Sequence, residues 1–119
     1  LSARIHIVGI GDDGLDGITR QARSVIEAAE VIVGNRGLVQ RIGESTAPRA
    51  KRVVIGGDLD ELQSTLSSYA DQQLVLLAGG DPLFYGIARF LAEKFGKDRF
   101  EVIPHVSSMQ LAFARVKES

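Results

Sequence analysis

Between residues 74 and 86 an unbroken apolar run breaks into glycine and proline, then resumes at helical spacing. Leu74-Val75-Leu76-Leu77-Ala78 has no polar position, so it reads as a strand buried on both faces, the kind a parallel sheet contains. Gly79-Gly80-Asp81-Pro82 ends it. Two glycines let a backbone bend sharply and let a ligand approach it. Pro82 cannot donate a ladder hydrogen bond, so the strand is over by then. Ile87, Phe90, Leu91 and Phe95 follow at helical spacing. Strand, glycine bend and helix is how an open α/β sheet builds a ligand site at the carboxyl end of a strand. Taken alone, the four residues of the bend are equally those of an ordinary turn.

The rest of the chain alternates in the same way. Arg4 to Gly11 is a β-branched, apolar strand that breaks at glycine. A helix from Thr19 to Ala29 carries a core stripe of Ala22, Val25, Ile26 and Ala29. A short strand, Val31–Val33, leads to Asn35, an N-cap for a helix over Arg36–Ile42. Gly43 to Ala50 is a surface loop, and Arg52–Ile55 is the third strand. Asp58 and Glu61 have capping-box spacing for a helix that buries Leu59, Leu62, Leu66 and Tyr69. Asp58, Asp60 and Glu61 therefore read as structural rather than catalytic. Gly96 stops the long helix, and Phe100–Ile103 is the fifth strand. Five strands alternating with helices predict an α/β fold, a parallel sheet covered on both faces. The strand ends at Gly9–Gly14, Gly79–Asp81 and Pro104–Ser108 then gather along one edge. Backbone groups there can read a polar nucleoside without much side-chain chemistry.

Gly9-Ile10-Gly11-Asp12-Asp13-Gly14 also spells G-x-G-x-x-G, but the dinucleotide reading fails. Its helix would have to start within the motif, and an acid would have to end the next strand. Here helical spacing begins only after Gly17-Ile18-Thr19, and Val31–Val33 runs into Gly34-Asn35. The chain has 119 residues and a formal net charge of −1, with no block of like charge, which argues against nucleic acid as a partner. It has no cysteine and two histidines, so no disulfide framework, thiolate nucleophile or metal site is expected. His6 and His105 read as ordinary polar groups. No apolar run reaches the ~20 residues a membrane span needs. No charged segment followed by a long apolar one opens the chain, and the cytoplasm is the expected compartment.

Gly79-Gly80-Asp81-Pro82-Leu83-Phe84-Tyr85-Gly86 resembles the GDP-x-F-x-G signature of the tetrapyrrole (corrin/porphyrin) methylases. Its Leu-Phe-Tyr-Gly continuation is most similar to the precorrin-6Y C5,15-methyltransferase (CbiE/CobL type) branch. Val8-Gly9-Ile10-Gly11-Asp12-Asp13-Gly14 is similar in placement to the family's V-G-x-G-P-G loop, with Asp12 where proline is usual and Asp13 where glycine is. The segment from Val31 to Leu38 is similar to a V-V-G-x-x-x-L stretch. Pro104-His105-Val106-Ser107-Ser108 resembles P-G-[VI]-S-S, with His105 in place of glycine, and the helical pattern containing Gln110 to Arg115 follows it as in the family.

The resemblance implies a five-stranded parallel sheet in the order 3-2-4-1-5. It implies that residues 1–119 form one domain, the N-terminal lobe of a two-lobe enzyme whose C-terminal lobe this chain lacks. S-adenosylmethionine (SAM) would bind between the lobes and leave as S-adenosylhomocysteine. Gly79, Gly80, Asp81, Phe84, Ser107 and Ser108 would contact it through main chain, hydroxyls and apolar surface, and Gly11, Asp12 and Asp13 would form a substrate-side loop. Tyr85 is expected in the core. The implied reaction is methyl transfer to ring carbon C5 of a precorrin or cobalt-precorrin in cobalamin biosynthesis. The sulfonium already activates the methyl group, so holding donor and acceptor in line is the protein's main task, and no general base is named. The lone lobe is expected to bind SAM weakly and to be inactive, and the expected assembly is a homodimer. Two other readings stay open: a non-catalytic α/β binding or dimerisation module of the same fold, and another SAM-dependent methylase on it, RNA-modifying or diphthine-forming.

Overall fold

The computed structural model describes residues 5–11, 18–56, 58–79 and 81–103, the side chains of 81–85 and 97 apart. Its elements alternate as β1 (Ile5–Gly9), α1 (Arg20–Glu27), β2 (Val31–Gly34), α2 (Arg36–Ile42), β3 (Lys51–Val54), α3 (Leu59–Ser68), β4 (Leu74–Ala78), α4 (Asp81–Phe95) and β5 (Phe100–Ile103). The strands pair parallel in the order β3-β2-β4-β1-β5. Leu74 lies level with both Ile5 and Val31, and Ala78 with Gly9, so the carboxyl ends of the three central strands open on one edge.

β4 is the centre of the sheet, and every residue from Leu74 to Ala78 is at most 2% exposed. Its side chains alternate between two cores, which is why the run has no polar position. Leu74, Leu76 and Ala78 join Ile5, Ile7, Val31 and Val33 under Leu62, Leu66 and Leu91 of α3 and α4. Val75 and Leu77 join Val8, Ile10 and Ile32 under Ala22, Ile26, Leu38 and Ile42 of α1 and α2. The connections explain this division. From β1 to β3 the chain steps one way along the sheet, and from β3 to β5 it steps back. Right-handed crossovers therefore lay the first two helices on one face and the last two on the other.

The helix starts follow the sequence signals closely. Thr19 Oγ1 accepts from the Ala22 N–H at 3.1 Å, and Asn35 Oδ1 accepts from the Leu38 N–H at 2.8 Å. Asp58 Oδ1 accepts from the Asp60 N–H at 3.0 Å. Glu61 departs from the capping-box expectation. Its Oε1 reaches past Asp58 to the Gly56 N–H at 2.6 Å and so closes the whole β3–α3 turn. α4 starts earlier than its apolar spacing indicates, at Asp81, because proline is tolerated in the first turn of a helix, where its missing N–H has no partner to lose. Gly96 ends that helix at φ +89°, a conformation glycine adopts without cost. Leu59, expected in the buried face of α3, is 43% exposed, and Tyr69 is half-buried.

The segment between α2 and β3 is more than a surface loop, since Thr46 and Ala50 are buried. Arg52 organises it. Its Nη1 donates to the carbonyls of Ala47 and Ala50 at 2.9 and 3.1 Å, and its Nη2 donates to those of Gly43, at 2.9 Å, and Thr46. At the opposite edge His6 Nε2 of β1 stands 3.3 Å from Glu101 Oε2 on β5, two residues level with each other in the sheet. Among the described residues no helix is long and apolar enough to cross a membrane.

Candidate functional site

β2 hands the chain to α2 on one face of the sheet, whereas its neighbours β3 and β4 hand it to α3 and α4 on the other. Helices that leave adjacent strand ends in opposite directions leave a crevice uncovered between them. An open cleft of about 500 Å³ occupies that position. Leu76, Leu77, Ala78 and Gly79 form its floor, Asn35, Gly37, Leu38 and Arg41 its α2 wall, and Ile55, Gly56, Asp58, Leu59 and Leu62 its α3 wall, with Gly34 and Ile87 completing it. The volume falls within the range of small-molecule sites, and the lining is the usual mixture of apolar surface with a few polar groups.

Two glycines set how closely the elements around the floor pack. A Cβ at Gly79 would lie 3.3 Å from Leu38 Cδ2 and 3.5 Å from the Ile10 carbonyl oxygen. At Gly34 it would lie 3.1 Å from Leu77 Cβ. The Ile10 N–H donates to the Ala78 carbonyl at 2.8 Å, so β1 and β4 stay paired up to the bend and hold its position. On the opposite side the Ile55 N–H donates to the Gly34 carbonyl at 3.0 Å, and Glu61 ties Gly56 to the start of α3. The strand ends around the cleft are thus fixed from both sides. Among the described residues no cluster of three or more His, Asp or Glu side chains is assembled that could hold a metal ion.

Of the residues singled out in the sequence, Gly79 lies on the cleft floor. Asp81 and Phe84 fall in the first turn of α4, immediately beyond the bend, with their side chains outside the described residues. Gly11 follows the carboxyl end of β1, beside β4 in the sheet. Gly80, Asp12, Asp13, Ser107 and Ser108 lie outside the described residues, as do Pro104, His105 and the helical pattern after them. The strand ends of β4, β1 and β5 that carry these segments are neighbours on one edge, as the alternation predicted.

The expected site covers only half of this edge. The cleft extends the other way from Gly79, to Gly34, Asn35, Gly56, Asp58 and Leu59. Their signal was present, since Gly34-Asn35 and Gly56-Gly57 are also glycine-containing strand ends. Asn35 and Asp58 perform the capping roles read from their spacing and line the cleft as well.

The profile of the Tetrapyrrole (Corrin/Porphyrin) Methylases matches residues 4–119. The chain belongs to the tetrapyrrole methylase family. It is 32% identical over 111 residues to the cobalt-precorrin-7 C(5)-methyltransferase of Salmonella typhimurium, covering 93% of this chain and 54% of that one. It is 37% identical over 113 residues to the decarboxylating precorrin-6Y C(5,15)-methyltransferase of Mycobacterium tuberculosis, covering 94% and 28%. The chain thus spans about half the length of the first relative and little more than a quarter of the second. Among solved structures, the uroporphyrin-III C-methyltransferase of Thermus thermophilus, complexed with S-adenosylhomocysteine, superposes with a TM-score of 0.68 at 27% identity, over 87% of this chain and 48% of that one. The order β3-β2-β4-β1-β5 is that of the N-terminal lobe of two-lobe tetrapyrrole methylases.

Proposed function

We propose that this chain is the SAM-binding N-terminal half of a methyltransferase that acts on carbon C5 of a precorrin or cobalt-precorrin in cobalamin biosynthesis. The observation that carries the reading is the junction of β4 and α4. Gly79 brings bare backbone to the floor of a cleft, at the point where the family signature Gly80-Asp81-Pro82 begins. Both curated relatives named above are C5 or C5,15 methylases of corrin precursors, and a solved relative is complexed with the demethylated cofactor.

The cleft suits a nucleoside, because a glycine ends the strand on its floor and its lining is mostly apolar with a few polar groups. Gly79, Gly80 and Asp81 would hold the cofactor through main chain and carboxylate, with Phe84, Ser107 and Ser108 adding apolar contact and hydroxyls. Gly11, Asp12 and Asp13 would face the tetrapyrrole. When bound, SAM supplies a methyl group already activated by its sulfonium. The chain's own contribution is to bind and orient, so that donor and ring carbon meet in line. Residues 1–119 act in this reading as one lobe of a larger cytoplasmic enzyme, assembled as a homodimer.

Calorimetric titration with S-adenosylhomocysteine tests the reading. Saturable binding, lost in Asp81→Ala and in Gly80→Val, is the expected result. No heat and no thermal shift at millimolar ligand, in the chain and again in a form completed by a second lobe, would overturn it and favour a fold-only binding module.

A further inference from the structure

We infer that Leu38 is a positioning residue for the cofactor site: its side chain, projecting from α2, is the stop that sets where the chain bends at Gly79. The inference rests on the cofactor reading of the β4–α4 junction and deepens it. The nearest atoms to a Cβ at Gly79 are Leu38 Cδ2 at 3.3 Å, the Ile10 carbonyl oxygen at 3.5 Å and Leu38 Cδ1 at 4.0 Å. Both methyl groups of Leu38 thus stand beside Gly79 where a side chain would be. Ile10 is held there through its own backbone, since its N–H donates to the Ala78 carbonyl at 2.8 Å. Leu38 comes from a different element. Its N–H donates to Asn35 Oδ1 at 2.8 Å, which fixes its place in the first turn of α2. The Asn35 cap, Leu38 and Gly79 therefore form one continuous support from the end of β2 to the end of β4.

Leu38 differs from an ordinary core leucine in what it borders. It is 6% exposed and packs with Ile10, Ile42 and Leu77 in the core on the α1–α2 face, yet it also lines the cleft. It therefore sits between the core, the bend and the space proposed for the nucleoside. α4 begins at Asp81, two residues past Gly79, so a shift of Gly79 is carried into the segment proposed to hold the cofactor. An interior packed at crystal density transmits such a shift rather than absorbing it. Binding through main chain depends on where that main chain stands, so shortening Leu38 alters ligand fit without removing a polar contact. Ile42 is the contrasting residue. It is as deeply buried, on the same helix and in the same core, but it lies outside the cleft lining.

Calorimetric titration with S-adenosylhomocysteine, run beside urea unfolding on the chain alone or completed by a second lobe, tests the assignment. Leu38→Val removes both Cδ atoms and is expected to weaken binding by about tenfold. Ile42→Val takes a methyl group from the same core and lowers the urea midpoint, with affinity expected to be unchanged. Leu38→Met keeps the volume and reach of the side chain and is expected to bind as the unmodified chain does. A methyl group at Gly79 fills part of the space that Leu38→Val vacates. Leu38→Val combined with Gly79→Ala is therefore expected to bind more tightly than the two single losses multiplied together. Cooperative unfolding at unchanged slope shows each variant to be folded. Equal affinity of Leu38→Val and the unmodified chain, equal losses in Leu38→Val and Ile42→Val, or multiplicative losses in the double variant overturn the role of Leu38 and leave the cofactor reading standing. Failure of the unmodified chain to bind the ligand, alone and with a second lobe, overturns both.

Discussion

Three residues show how much a single position can carry. Gly34 ends β2 against Leu77, and a β-carbon 3.1 Å from Leu77 Cβ has no flexible neighbour to displace. Gly34→Val is expected to cost about 1–3 kcal/mol by overpacking, seen as a lower urea midpoint at unchanged slope. Gly79 faces the mobile end of Leu38 instead, so Gly79→Ala should lose less stability than Gly34→Val. The same change places a methyl group on the cleft floor and should weaken S-adenosylhomocysteine at least about tenfold, since ligand fit there depends on close backbone approach. Comparison of midpoint and titration across the two variants separates packing from binding. Arg52 is the third. Its two terminal nitrogens donate to four carbonyls, the full donor capacity of those groups. Arg52→Met is expected to cost roughly 2–3 kcal/mol because the carbonyls lose a charged donor, with Arg52→Lys recovering only part for want of the planar fork.

The elements are short, and their ends are held by side chains more than by length. α2 has seven residues, too few to persist without its cap and its packing. Asn35→Ala should cost about 1 kcal/mol by exposing the first turn of α2. Glu61 acts on a turn rather than on its own helix, since it accepts from Gly56 and not from the N–H of Asp58. Glu61→Ala is therefore expected to speed amide exchange at Gly56 while amides in the middle of α3 keep their protection. Uniform acceleration across α3 would show the carboxylate acting as an ordinary cap. The early start of α4 has a similar lesson. Apolar spacing begins at Ile87, but the helix begins at Asp81, where Pro82 in the first turn has no helical N–H bond to lose.

At the scale of the molecule the decisive feature is the reversal of direction along the sheet. It puts α2 and α3 on opposite faces and leaves strand ends uncovered between them. Leu59, 43% exposed at the rim, marks that wall as apolar surface facing the cleft rather than the core. On the proposed reading one wall of the cofactor site belongs to a second lobe. The 119-residue chain should then show no turnover with any precorrin in a SAM-dependent assay, and a second lobe should restore it. Robust methyl transfer by the chain alone would overturn that division of labour.

Periodicity and caps made most of the fold legible without coordinates. Leu74–Ala78, Phe100–Ile103 and Arg36–Ile42 occur at the residues their patterns indicate, because a doubly buried strand and a capped amphipathic helix are local consequences of which positions are apolar. The order β3-β2-β4-β1-β5 came from the family signature, since strand pairing is non-local and no spacing encodes it. The glycine bend after β4 was equally visible as a candidate site, whereas Gly37 and Arg41 were not. Those residues matter only because the crossovers bring α2 beside the end of β4, and Asn35 and Asp58 look the same in sequence whether they cap a helix in solvent or at the edge of a cleft. Local propensity thus determined the strands, the helices and their caps. Which strand ends meet, and which side chains share the space between them, was decided by the packing of helices on two faces of one sheet.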